Sequence, residues 1–117
     1  MVQTNTVLFG WNRALAGREG MAGELFAHSM TYFEKLKATK QIEGFEPVFL
    51  NRHGGDLNGF FLLKGSHMQL DAMMQSDEWV DIVMRADHYL SGVGVITGYT
   101  GQVIPDMMQR WVKTIPR

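Results

Sequence analysis

With 117 residues, the chain is long enough for one domain whose core needs no metal or disulfide staple. Its 45% hydrophobic and 20% charged residues are ordinary globular composition and exclude an intrinsically disordered chain. Eleven basic against 12 acidic residues leave a net charge of −1, which excludes the basic field that a nucleic-acid backbone or an anionic membrane surface would require, while the absence of cysteine excludes thiol chemistry and fits a reducing compartment such as the cytoplasm.

The first strand is expected over residues 6–14, where Val7, Phe9 and Trp11 alternate with Leu8, Gly10 and Asn12 and both faces carry apolar side chains. Residues 1–6 show neither a basic nor a sustained apolar leader pattern, and no stretch approaches the roughly 20 apolar residues of a membrane span. Gly17-Arg18-Glu19-Gly20 breaks the strand pattern ahead of a helix over 21–39. At roughly 100° per residue, its Met21, Ala22, Leu25, Phe26, Tyr32, Phe33 and Leu36 share one side, opposite Glu24, Thr31, Glu34, Lys35 and Ala38. Ser29 lies at the centre of this apolar stripe and His28 at its edge.

A second strand follows over 45–52, where Pro47 points to a sheet edge or a bulge. Gly54-Gly55-Asp56-Leu57-Asn58-Gly59 reads as a hairpin connection, and Phe60-Phe61-Leu62-Leu63 as a third strand covered on both faces. Ser66 with Gln69 forms a capping box for a short helix ending at 74, and Ser76 caps a longer one reaching 90. On that longer helix Trp79, Val80, Val83, Ala86 and Leu90 share a side with Asp87, while Asp81, Arg85 and His88 point away. The last strand, 93–100, is expected beside the first, with Gly10, Gly94 and Gly98 on one face where a helix or a ligand can approach closely. Pro105 opens an amphipathic segment over 106–112, whose Met107, Met108 and Trp111 can clamp the sheet edge or a partner subunit.

The order strand, helix, strand, strand, helix, strand specifies an α+β domain spanning residues 1–117. Such a βαββαβ chain forms a four-stranded antiparallel sheet with two main helices on one face, here with a short C-terminal helix. Two helices cover one face only, yet both alternations of the strands are apolar. A second copy of the same sheet is the simplest cover, so a homodimer through the sheet face is expected.

Asn12-Arg13 near the end of the first strand and Ser76-Asp77-Glu78-Trp79 at the head of the longer second helix resemble features of the dimeric α/β-barrel superfamily of ferredoxin-like domains, which includes antibiotic-biosynthesis-monooxygenase-like proteins. The resemblance covers nearly the whole chain and implies a homodimeric α/β barrel, with two sheets facing each other and the helices outside. It implies fold more than function, because known members include cofactor-independent and haem-degrading monooxygenases, chlorite dismutase-like and muconolactone isomerase-like proteins, and proteins of no known activity. In the haem-degrading branch a strand-one asparagine matches Asn12. The branch's helical tryptophan and iron-ligating histidine fall on Met73 and Val83, however, and His88 comes five residues too late. No haem or other cofactor is therefore expected.

Asn12, His28, Ser29, Tyr32 and Asp87 are expected to face a pocket between sheet and helices, around the glycine-lined part of the first and last strands, that takes a small apolar or aromatic ligand. Asp87 and His28 are the candidate catalytic groups, since a carboxyl desolvated by apolar neighbours is raised in pKa and suited to general acid–base work on an enolic or phenolic molecule. Asn12, Ser29, Tyr32, Trp11 and Arg13 are the candidate substrate-binding residues. Each also has a structural reading: Asp87 accepting from Tyr32 or backbone, His28 at a solvated helix edge, Ser29 permitting close packing. A second polar cluster, Arg13, Asn51, Arg52 and His53, suits an anion if the chain ends meet, and otherwise solvent or pairing with Glu43, Glu46 or Asp56. His28, His53, His67 and His88 have no metal-ligand spacing, so no metal is expected. A metal-independent monooxygenase, isomerase or cyclase, a binding module without turnover, and a structural dimerisation protein all remain open.

Overall fold

The computed structural model describes residues 2–116. Alternation along β1 (Thr6–Trp11) decides the layering: Val7, Phe9 and Trp11 are buried on the side that meets the helices. Leu8 and Gly10 therefore face the other way. β1 pairs antiparallel with β3 (Gly59–Lys64), placing Phe9 opposite Phe61, and with β4 (Gly94–Gly98), placing Phe9 opposite Val95. β2 (Gly44–Phe49) pairs with β3 on the far side, so the sheet order is β2-β3-β1-β4. Pro47 thus lies in an edge strand, where its missing N–H costs no central ladder bond. The four-stranded antiparallel sheet with its two crossover helical segments is the α+β arrangement expected from the order of elements.

α1 (Glu19–Ala38) buries Leu25, Ser29, Tyr32, Phe33 and Leu36, the centre of the stripe expected from its periodicity, Ser29 included, whereas Met21, expected on the same side, is 49% exposed in the first turns. The second crossover is two helices, α2 (His67–Met74) and α3 (Asp77–Tyr89), separated by a serine cap. At the head of α2 the Gln69 N–H donates to Ser66 Oγ (3.1 Å) while the Ser66 N–H donates to Gln69 Oε1 (2.8 Å), the reciprocal box that satisfies two helix-end donors. At the head of α3 the Trp79 N–H donates to Ser76 Oγ (3.3 Å). Among the described residues no helix is long and apolar enough to cross a membrane.

Two strand ends fall short of expectation for identifiable reasons. β1 stops at Trp11 because the next residues bond elsewhere: the Asn12 N–H donates to Ser91 O (2.8 Å) and the Ser91 N–H to Arg13 O (2.8 Å). β2 stops at Phe49 because the hairpin closes on itself. There the His53 ring donates from Nε2 to Leu57 O (2.9 Å) and accepts the Gly55 N–H at Nδ1 (3.2 Å).

The open face of the sheet carries Leu8, Val48, Phe60, Leu62 and Ile96, with Ile96 61% exposed. Gly10 and Gly94 pair on this same open face, with Gly98 opposite Thr6. The glycines therefore do not line a pocket beneath the helices, which corrects the expectation; with Phe9 turned inward, strand geometry turns Gly10 outward. α4 (Val103–Lys113) is longer than expected and buries none of its residues. Its projection away from the sheet gives the chain extents of 54 × 38 × 21 Å and a radius of gyration of 16.1 Å, against about 13 Å for a compact domain of this size.

Gly23 and Gly92 have opposite structural roles. A Cβ on Gly23, inside α1, would meet open space, so Gly23→Ala should stabilise the fold by about 0.5–1 kcal/mol. Gly92 has φ 61° and the Asn12 side-chain amide occupies the place of its Cβ; Gly92→Ala should cost about 1–2 kcal/mol or more. Urea unfolding midpoints of the two variants, moving in opposite directions, check both.

Candidate functional site

Where α1 crosses the ends of β1 and β2, small side chains face large ones. Ala22, Gly23 and Ser29 of α1, Ala86 of α3 and Ala14 after β1 lie around Phe9, Trp11, Phe26, Phe49 and Phe61, with Leu25, Leu90 and Asn58 completing the wall. The mismatch leaves a cavity of about 190 Å³. Its aromatic walls are ordered by mutual contact: Phe26 stacks on Phe61 at 5.1 Å with an 18° interplanar angle, and Trp11 meets Phe26 edge-on at 6.2 Å. Phe49 closes on Phe26 at 4.9 Å, yet is 69% exposed, which places it at the mouth.

None of the thirteen lining residues is titratable, and besides the Trp11 indole N–H, Ser29 and Asn58 carry the only polar side-chain groups among them. Ser29 Oγ donates to Leu25 O at 2.8 Å, so toward a guest the hydroxyl can only accept. The wall can bury an apolar ring and orient one polar group. It contains no proton donor or acceptor of catalytic strength.

Of the residues expected here, Trp11 and Ser29 line the cavity; Asn12, His28, Tyr32 and Asp87 do not. Asp87 and His28 are exposed, which corrects the expectation that they face inward. The buried residues of α3 are Trp79, Ile82 and Ala86, and stepping about 100° per residue from their mean direction carries Asp87 roughly a right angle away. His28 Nε2 lies 3.7 Å from Glu78 Oε1, both side chains 46% exposed. The desolvation that made these two groups candidate acid–base catalysts is thus missing. Asn12 packs against Gly92 at the β1–β4 end instead. Phe49, Asn58 and the Ala22-Gly23 pair were not among the expected site residues; the signal the sequence holds is Ala22, a small residue on an otherwise large-residue helix stripe. Among the described residues, no three His, Asp or Glu side chains are grouped to hold a metal ion.

Arg13, Asn51, Arg52 and His53 do come together. With Asp56 and Asn58 they line a second pocket of about 330 Å³ at the hairpin end of the sheet.

No protein-family model matches this chain, and no curated protein matches it. Among solved structures, a dimeric protein of unknown function and ferredoxin-like fold from Bacteroides fragilis NCTC 9343 is similar over 86% of this chain and 100% of that one, with a TM-score of 0.58 at 10% sequence identity. The fold is ferredoxin-like.

Within this ferredoxin-like framework Tyr32 ties α1 to the α2–α3 junction. Its hydroxyl shares a 3.1 Å hydrogen bond with Ser76 Oγ, which also donates to Met73 O at 2.7 Å. Since the Ser76 proton goes to that carbonyl, Tyr32 is the donor toward Ser76. Burial raises the Tyr32 pKa above its ordinary 10.0, outweighing the lowering by the Ser76 hydrogen bond and helped by the Glu78 charge. In the unfolded chain the phenol ionises at its ordinary value while the folded phenol stays neutral, so the native state holds more protons above that pH. This contribution is fully present below pH 10.0 and is lost as pH rises through the folded pKa. Tyr32→Phe should be less stable than wild type at neutral pH, and the gap should narrow in alkaline solution. Guanidinium unfolding from neutral pH to pH 11 or so checks this; a gap that stays constant would contradict it.

Proposed function

We propose that this domain binds a compact, single-ring molecule in the aromatic cavity and does not transform it by acid–base chemistry of its own. The observation that carries this reading is an aromatic-walled cavity of about 190 Å³ with no titratable lining. A dry apolar cavity of about 150 Å³ is enough to hold benzene, so the volume suits one ring and little more. A monooxygenase, isomerase or cyclase mechanism would need an acid or base in contact with the guest, and Asp87 and His28 are exposed elsewhere. Benzyl alcohol is a suitable neutral probe. In an amide-and-indole NMR spectrum its addition should shift the Trp11 Nε1–H resonance saturably and leave that of Trp111, which is 58% exposed on α4, unchanged. Ala22→Leu, which enlarges a cavity-lining side chain on the buried side of α1, should weaken the effect at least about tenfold. Absence of any Trp11 response would remove the reading.

We further propose that the working unit is a homodimer built as in the dimeric α/β barrels, sheet face against sheet face. The open face supports this: Leu8, Phe60, Leu62, Val48 and Ile96 form an apolar patch that no helix of the same chain covers. α4 supports it independently. Ile104, Met107, Met108, Trp111, Val112 and Ile115 recur at the spacing of a helix stripe, and Ile104, Met108, Trp111 and Val112 are each at least 43% exposed. A stripe with no partner in its own chain suits the partner subunit. The similar Bacteroides fragilis structure is dimeric as well. Sedimentation equilibrium should give twice the 13.3 kDa chain mass; Ile96→Glu and Trp111→Glu should each shift the protein toward monomer while its far-UV circular dichroism is retained. A wild-type protein that sediments as a monomer at micromolar concentration contradicts the proposal.

A further inference from the structure

The aromatic cavity has one neighbour of different chemistry. Asn58 lines the cavity and also lines the pocket of about 330 Å³ that contains Arg13 and Arg52. The two spaces are joined along the chain as well. Trp11 of the cavity precedes Arg13 of the pocket by two residues, and Phe49 precedes Arg52 by three. Such separations span at most about 7 and 11 Å of backbone, comparable to the reach of a ring bearing a short acidic substituent.

The pocket is suited to a carboxylate. The ion pair found among the described residues is His28–Glu78, so neither Arg13 nor Arg52 has an acidic partner there. Asp56 lines the same pocket and offsets one of the two positive charges, leaving one in excess. His53 contributes no free donor, because its Nε2–H goes to Leu57 O and its Nδ1 accepts the Gly55 N–H. Its effect is to hold the loop. A Cβ on Gly55 would sit 2.7 Å from the His53 ring, so the glycine is what lets the ring close over the turn. The Asn58 main chain is also committed, its N–H to Trp11 O (2.9 Å) and its carbonyl to the Leu50 N–H (2.9 Å). That ladder fixes Asn58 between the two spaces and leaves its side-chain amide to orient a guest.

We propose that the guest is a small aromatic carboxylate, its ring in the cavity against Phe26 and Phe61 and its carboxylate beyond Asn58 at Arg13 and Arg52. This rests on the binding reading above and names the ligand class for it. A guanidinium meets a carboxylate with paired, charge-assisted hydrogen bonds, and no comparable group serves the ring end. Selectivity between rings then comes from the charged end and not from the cavity walls.

Benzoate and benzyl alcohol share a ring and differ in the charge of the head group, so calorimetric titration of both against the full chain isolates the charged end. Benzoate should bind about tenfold more tightly at low salt, with the margin shrinking as salt is added. Both ligands should shift the Trp11 indole resonance. The double variant Arg13→Gln, Arg52→Gln should lose the benzoate preference and keep the benzyl alcohol affinity. Equal affinities for the two ligands, or a preference that survives the double variant, would overturn this inference and leave the cavity reading standing. If neither ligand moves Trp11, both fall together.

Discussion

Phe61 stands where the sheet, the helices and the cavity meet, and the register of β3 depends on which way it points. It is 2% exposed and pairs with Phe9 across β1 and with Pro47 across β2. Its ring lies 4.9 Å from Phe33, 5.1 Å from Phe26 and 5.6 Å from Trp11. A slip of one residue would exchange Phe61 and Leu63 for Phe60 and Leu62 on the helix side. Hydrophobicity alone hardly opposes that slip, because both sets are apolar. The contacts of Phe61 with α1 do oppose it. Trp11 follows Phe9 onto the same face, and the Trp11–Phe61–Phe26 grouping that results is the aromatic side of the cavity.

The sequence was most legible where one residue type answers one local demand. Ser66 and Ser76 cap helices as their positions require, Pro47 lies in an edge strand, and the stripe of α1 reads correctly from Leu25 onward, down to a serine at its centre. Legibility failed where two solutions are equally apolar. Leu8 and Gly10 compete with Phe9 and Trp11 for the helix face, and only tertiary packing decides between them. The glycines of β1 and β4 were consequently expected on the wrong side of the sheet. Asp87 failed for a related reason. A wheel centred on Val80 and Val83 admits it, whereas the helix docks on Ile82, and a rotation of that size is invisible in the pattern. The polar cluster of Arg13, Asn51, Arg52 and His53 was legible as residues but not as a place, because its closure depends on a hairpin loop held by His53.

A cavity in a small domain needs a physical reason to persist. The apolar wall around this space of about 190 Å³ forgoes the close contacts that a filled core would give it, with its mouth at the exposed Phe49. Ala22 and Ala86 sustain the space, and a longer aliphatic side chain at either would reduce it. A guest offsets the same cost when bound, which is the thermodynamic case for occupancy over a packing defect.

The two faces of the sheet then divide the work by their chemistry. On the helix side lies the ring-sized space, separated from the open face by the sheet itself. On the open side the residues around the paired Gly10 and Gly94 form an apolar centre, while Glu46 and Lys64 supply a polar margin toward the other end of the strands. An apolar centre with a polar margin is the anatomy of a protein interface. The glycines become intelligible there: a Cβ at Gly94 or Gly98 would meet open space in the single chain, so nothing within the chain requires their smallness. A second sheet lying against that face would. α4 has the same deficit, a complete apolar stripe with nothing of its own chain to cover. One two-fold partner, as proposed above, would satisfy both at once.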